Sequence, residues 1–105
     1  MTLDEYQIEA MKTRLPSADF DYALINLGSE VGEFMGLVAK FMRDGVDDYH
    51  LHEKNLQKEL GDILWHVAAL ADSLEIPLSE IAQMNLDKLA SRKARGVLSG
   101  SGDDR

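Results

Sequence analysis

DFDYALINLGSEVGEFMGLVAKFMR, residues 19–43, decides the fold. Its apolar residues recur every three to four positions, the period of an α-helix buried along one face. Asp19 is a good cap and Asp44-Gly45 a good stop, so the spacing predicts a helix from about Asp19 to Arg43. With Glu30 as the origin of the helical wheel, Ala23, Leu27, Phe34, Leu37, Val38 and Phe41 form an apolar arc that encloses Glu30 and leaves Glu33 at its edge. A carboxylate inside that arc breaks the hydrophobic pattern and requires a chemical reason.

The same break recurs further on. A helix is expected over about Leu51 to Leu74, where Leu56, Leu60, Ile63, Val67, Leu70 and Leu74 make an arc beside Glu59 and Asp62 lies beyond its edge. Glu30-Val31-Gly32-Glu33 and Glu59-Leu60-Gly61-Asp62 thus each set two acids three residues apart, neighbours on one helix face. The matching layouts suggest two packed helices turning their carboxylates toward each other. Converging buried anions repel and resist desolvation unless something pairs with them. A hard divalent cation with oxygen ligands, Mg²⁺ with Mn²⁺ as substitute, satisfies Glu30, Glu33, Glu59 and Asp62 together.

Around this pair the chain predicts two more helices and no strand. Thr2 and Glu5 have capping-box spacing and open a helix to about Lys12, within an N-terminal segment 1–15. Pro16 and Ser17 break it, Val46 to His52 make a polar connection, and a last helix runs from near Pro77 to Arg95. The expected fold is an all-α bundle of about four helices in a single domain, 1–105, with two long antiparallel helices at its centre. Gly28, Gly32 and Gly36 fall every fourth residue, which suits either close helix packing or room for a ligand.

Composition narrows the function. A chain of 105 residues with few helices has a thin core, so its apolar stripes call for self-association as a dimer or dimer of dimers. A net charge of −8 argues against a nucleic-acid polymer as partner. With no cysteine there is no disulfide, zinc-thiolate site or thiol nucleophile. No leader-like start or membrane-length apolar run is present, so the expected location is the cytoplasm.

In the last helix Asn85, Lys88, Arg92 and Arg95 lie within about 80° of one another. Cations near a helix carboxyl end are ordinary, yet facing an acidic metal cluster this strip would be the other half of a polyphosphate clamp. His66 projects between Glu59 and Asp62 and suits a hydrogen-bonding partner better than a ligand. Trp65 offers either interface packing or a base-stacking surface, and Lys40, two turns beyond Glu33, either a phosphate contact or a solvated lysine. The tail, 96–105, has glycines whose backbone N–H groups could close over phosphate while Arg105 adds charge; its composition equally suits a flexible end.

The ordered set E-x-x-E, E-x-x-D and Asn85-Leu86-Asp87-Lys88-Leu89 in an all-α chain of this size resembles the MazG-like nucleotide pyrophosphohydrolases, from about Asp19 onward. The resemblance implies that Glu30, Glu33, Glu59 and Asp62 hold Mg²⁺, that Asn85 and Lys88 contact substrate, and that a nucleoside triphosphate is cleaved to its monophosphate and pyrophosphate. Some small members, many of them phage-like, end in R-G-x-x-x-G-x-G-D-x-R, which Arg95 to Arg105 fits, bringing Asp103 and Arg105 into the substrate set. The mechanism it implies is metal-assisted hydrolysis with Glu30, Glu33, Glu59 and Asp62 as the catalytic set, in which Glu33, not fully engaged with metal, would accept the proton of an attacking water. Phosphoribosyl-ATP pyrophosphohydrolase and enzymes specific for dUTP, dCTP or dGTP share these expectations. Outside the family, the spacing of His66 is wrong for a di-iron bundle, and a non-enzymatic interaction module would leave the acids a solvated face.

Overall fold

The computed structural model describes residues 1–46 and 52–105, and among them the only regular elements are helices: α1 Leu3–Met11, α2 Phe20–Arg43, α3 Glu53–Ser73 and α4 Leu78–Ala94. The expected start of the third helix at Leu51 lies outside the described residues, as does most of the Val46–His52 connection.

Local chemistry sets the boundaries. At the start of α1 the Glu5 N–H donates to Thr2 Oγ1 at 3.1 Å while the Thr2 N–H donates to Glu5 Oε2 at 3.0 Å, completing the capping box. Asp19 caps α2 by accepting from the Tyr22 N–H at 2.9 Å. Three helix ends close alike, with Val46, Ile76 and Val97 donating back to the carbonyls of Phe41, Ala71 and Arg92 at 2.8, 3.0 and 2.9 Å. Each closure needs a left-handed residue, supplied by Gly45 (φ 71°), Glu75 (φ 58°) and Gly96 (φ 70°). Glu75 carries a Cβ where its two counterparts have none, at a cost of roughly 1 kcal/mol. Glu75→Gly is therefore expected to raise stability by on the order of 0.5–1 kcal/mol, read as a higher midpoint in urea.

Helices α2 and α3 run antiparallel, since Asn26 meets His66 at one end and Phe41 stacks on His52 at the other, ring centroids 4.2 Å apart. Helix α1 crosses the carboxyl half of α3, where Ala68, Ala71 and Leu78 form a small core with Tyr6, Met11, Val67, Ile76 and Ile81 against it. Buried Gln7 fastens this corner. Its amide donates to the carbonyls of Ala68 (3.3 Å) and Ile76 (3.2 Å), and its Oε1 accepts from the Leu78 N–H at 2.9 Å. Arg14 ties the α1–α2 connection to the end of α3 through the Ala18 carbonyl (2.7 Å), the Ala69 carbonyl (3.1 Å), Asp72 (3.2 Å) and Ser73 (2.8 Å). These two anchors fix where α2 begins, and hence which of its residues face α3.

One copy leaves much of its apolar surface uncovered. Ile25, Met35 and Met42 on α2 are 75%, 64% and 69% exposed, and no large side chain is fully buried among the described residues. The Cα radius of gyration is 16.7 Å, against about 13 Å for a compact chain of this length. Gly28, Gly32 and Gly36 have open space where a Cβ would stand, so close helix packing does not account for them within one copy.

Candidate functional site

The antiparallel register of α2 on α3 sets Glu30 and Glu33 opposite Glu59. One carboxylate oxygen from each lies within 4.8 Å of the others. Glu30 and Glu59 are partly buried and Glu33 is exposed. Glu30 Oε2 and Glu59 Oε2 are buried and have no hydrogen-bond partner among the described residues. Buried acceptors left without donors are costly, and two of them beside a third carboxylate form a donor set suited to a hard cation. The three residues therefore fit Mg²⁺ or Mn²⁺. Asp62 stands outside this group; its carboxylate is exposed, and its charge is felt by Glu30 and by Tyr6.

Burial pushes the Glu30 carboxyl above the ordinary glutamate range, and the charges of Glu33 and Asp62 push it further, while His66 opposes them. A value raised in the folded chain means that stability is fully present below the ordinary glutamate range and is lost as pH rises through the raised value. Glu30→Gln removes that loss. Without metal, the variant's thermal midpoint is expected to exceed the wild type's increasingly as pH rises from 4 toward 7. Saturating Mg²⁺ should narrow the gap at neutral pH by stabilising the wild type alone, as differential scanning fluorimetry would show.

Along α2 the residues Asn26, Glu30, Glu33, Leu37 and Lys40 follow spacings of 4, 3, 4 and 3, a single stripe spanning roughly 21 Å. A cavity of about 280 Å³ lies at its carboxyl end, lined by Glu33, Gly36, Leu37, Lys40 and Glu59, so Lys40 is a cation beside the acids. At its amino end a second cavity, about 330 Å³, is lined by Tyr22, Asn26, Glu30, Trp65 and His66 among others. His66 is buried and does not join the carboxylate group. Its Nδ1 lies 2.7 Å from the Asp62 carbonyl and its Nε2 lies 2.8 Å from Asn26 Nδ2. The indole N–H of Trp65 donates to Thr13 Oγ1 at 2.8 Å and to the Ala10 carbonyl at 3.3 Å.

The cationic strip of α4 is not brought to this cluster within one copy. Asn85 and Lys88 line a different cavity of about 530 Å³, with Leu74, Ile76, Ile81, Met84 and Asp103. Along α3, Leu74 stands roughly 22 Å from Glu59. The tail folds onto the strip: Lys88 Nζ pairs with Asp103 Oδ1 at 2.8 Å, and buried Arg92 bonds both the Asp103 carboxylate at 3.2 Å and its carbonyl. The Lys88 hydrogen bond, then its charge and Arg92, hold the Asp103 carboxyl below the ordinary aspartate range. Arg105 faces inward, donating to the carbonyls of Val97 (3.1 Å), Leu98 (3.0 Å) and Gly102 (2.7 Å), while Arg95 donates to the Arg105 carbonyl at 2.8 Å. The sequence analysis did not name Asn26 and Tyr22, which line the amino-end cavity beside Glu30. Asn26 lies one turn before Glu30 on the same face, a signal that was present but that an uncharged residue does not announce.

An all-α chain with acids facing one another across α2 and α3 is the setting in which comparison with known proteins identifies the family. The family model described as MazG nucleotide pyrophosphohydrolase domain matches residues 21–97. The chain belongs to the MazG family. It is also 45% identical, over 116 aligned positions covering both chains in full, to the Gene 37 protein of Mycobacterium phage L5. No solved structure gives a significant match.

Proposed function

We propose that the chain hydrolyses ribo- or deoxynucleoside triphosphates to the monophosphate and pyrophosphate with Mg²⁺, Mn²⁺ substituting. The observation that carries this is the group of Glu30, Glu33 and Glu59, with its two unpartnered buried oxygens, in a chain of the MazG family. Glu30 and Glu59 would hold the cation, with Asp62 alongside. Mg²⁺, when bound, supplies positive charge to the triphosphate and lowers the pKa of water. Glu33, exposed at the edge, accepts the proton of the attacking water, and Lys40 neutralises phosphate in the adjoining cavity.

Self-association completes this reading. A second copy covers the exposed apolar face of α2 and carries Asn85, Lys88, Arg92 and Arg95 toward a cluster that one copy cannot bring them to. No helix among the described residues is long and apolar enough to cross a membrane. Given the phage relative, the proposed place of action is the cytoplasm of an infected host, on its nucleotide pool. Incubating the protein with each common ribo- and deoxynucleoside triphosphate and Mg²⁺, and measuring pyrophosphate, tests the reading. Release from at least one nucleotide, abolished by chelation, is expected; release of inorganic phosphate alone would overturn it.

A further inference from the structure

We infer that Asp103 is a tethered competitor for phosphate: its carboxylate occupies the α4 cations that a polyphosphate would use, and swings off them when one arrives. The inference rests on the proposed hydrolysis for the identity of that polyphosphate, and adds regulation to it. Asp103 lines the same cavity of about 530 Å³ as Asn85 and Lys88. Lys88 Nζ donates to Asp103 Oδ1 at 2.8 Å, and Arg92 donates to the same oxygen at 3.2 Å. The Lys88 hydrogen bond and charge, with Arg92, hold this carboxyl below the ordinary aspartate range, so it stays an anion near neutral pH.

The tail holds that carboxylate in place without burying it. Arg105 donates to the carbonyls of Val97, Leu98 and Gly102 and so gathers the tail into a closed turn. Gly100 serves this closure, since its φ is 125° and a Cβ there would stand 3.3 Å from Arg105 Cδ. Arg92 then clamps the backbone of Asp103 through the residue's carbonyl. The backbone is fixed, while the Asp103 side chain is 77% exposed and can leave Lys88 by rotating about χ1. A fixed backbone keeps the anion at high effective concentration over the cations, ready to return.

Two features mark the carboxylate as a stand-in. An exposed ion pair is worth no more than about a fivefold factor in an equilibrium, so an ion of several charges displaces it readily. The strip also carries a donor that one carboxylate does not satisfy: the Arg92 side chain is 8% exposed, and its Nε is buried with no partner among the described residues. A phosphoryl group brings more acceptor oxygens to the same place.

The test uses the full chain without divalent metal, and inorganic tripolyphosphate as the probe, followed by isothermal titration calorimetry. Without metal the carboxylates of α2 and α3 repel the probe, so binding reports on α4. Asp103→Asn is expected to bind tripolyphosphate about fivefold more tightly than the wild type, and adding Lys88→Ala should remove that gain. Asp87→Asn removes the same charge one residue from Lys88 and should change the affinity by less than about twofold. Asp103→Ala repeats the comparison if asparagine disturbs the tail, with circular dichroism reporting on each fold. Unchanged or weaker binding in the folded Asp103 variants would overturn the inference and leave Asp103 a support for Lys88. An equal gain in Asp87→Asn, or no binding by either the wild type or Asp103→Asn, would overturn it too. On any nucleotide that the chain hydrolyses, Asp103→Asn should lower KM by about the same factor. A gain in tripolyphosphate affinity without hydrolysis of any nucleotide would keep the competitor and remove the reaction. Hydrolysis without that gain would do the opposite.

Discussion

Glutamine in place of Glu30 or Glu59 is expected to lower the rate of pyrophosphate release by roughly three orders of magnitude, the largest effect in the molecule. Each change keeps the side chain's size and removes the charge that would hold the cation. Losing metal-borne stabilisation of several kcal/mol corresponds to that factor, at about 1.36 kcal/mol per tenfold. Folding should not suffer, because the buried oxygens of Glu30 and Glu59 have no hydrogen-bond partner to lose. Asp62→Asn should do less, about tenfold, since Asp62 stands outside the group within 4.8 Å and acts at longer range. Steady-state assays at saturating Mg²⁺, paired with circular dichroism of each variant, check both statements. If Asp62→Asn equalled Glu30→Gln in effect, the division between three close carboxylates and one remote one would be wrong.

Gln7→Leu is the largest effect expected on stability. Gln7 is 8% exposed, and its amide joins α1 to the end of α3 and the start of α4. Leucine is similar in size but leaves the Leu78 N–H and two carbonyls without their partner. A buried backbone donor stripped of its acceptor costs about 1–3 kcal/mol, and the two carbonyls add to it, so on the order of 2–4 kcal/mol is expected. In a domain this small that lowers the thermal midpoint by at least about 8 °C. Calorimetry on the two proteins at equal concentration reads the difference. The loss should be transmitted to the site only weakly, because Gln7 anchors the far end of α3 from Glu59.

The helices were most legible where local chemistry marks their boundaries, as at the starts of α1 and α2 and the ends of α2 and α4. Thr2 with Glu5, Asp19, Gly45 and Gly96 are all signals that act within a few residues, and the structure uses each one. Glu30 and Glu59 stood out because a charge inside an apolar arc contradicts the pattern around it, and Glu33 by its place three residues after Glu30 on the same face. What could not be read was relative placement. The strip of α4 shares a wheel face with nothing in α2 or α3. Its neighbours depend on how α1, Gln7 and Arg14 set the bundle's far end, contacts spanning more than fifty residues. The tail is similar. Its glycines suggested mobility or closure over phosphate, whereas the structure commits Arg105 to its own carbonyls and Asp103 to Lys88 and Arg92.

The glycines mark where one copy stops explaining the sequence. Gly36 lines the cavity beside Glu33 and Glu59 and meets nothing within 4 Å. Under the proposed hydrolysis, space at that point would take a triphosphate beside the acids, and the uncovered apolar residues of α2 would take the proposed second copy. Both features lie on the same helix, so in that proposal assembly and the site would be coupled.

The most direct measurement of the central claim, that Glu30 and Glu59, with Glu33 beside them, hold a divalent cation, is a Mn²⁺ titration followed by electron paramagnetic resonance. In the wild type the sharp signal of free Mn²⁺ should be suppressed until the site fills, and Glu30→Gln with Glu59→Gln should abolish that suppression. Equal free Mn²⁺ with the wild type and the double variant would contradict the claim and leave the carboxylates a solvated face.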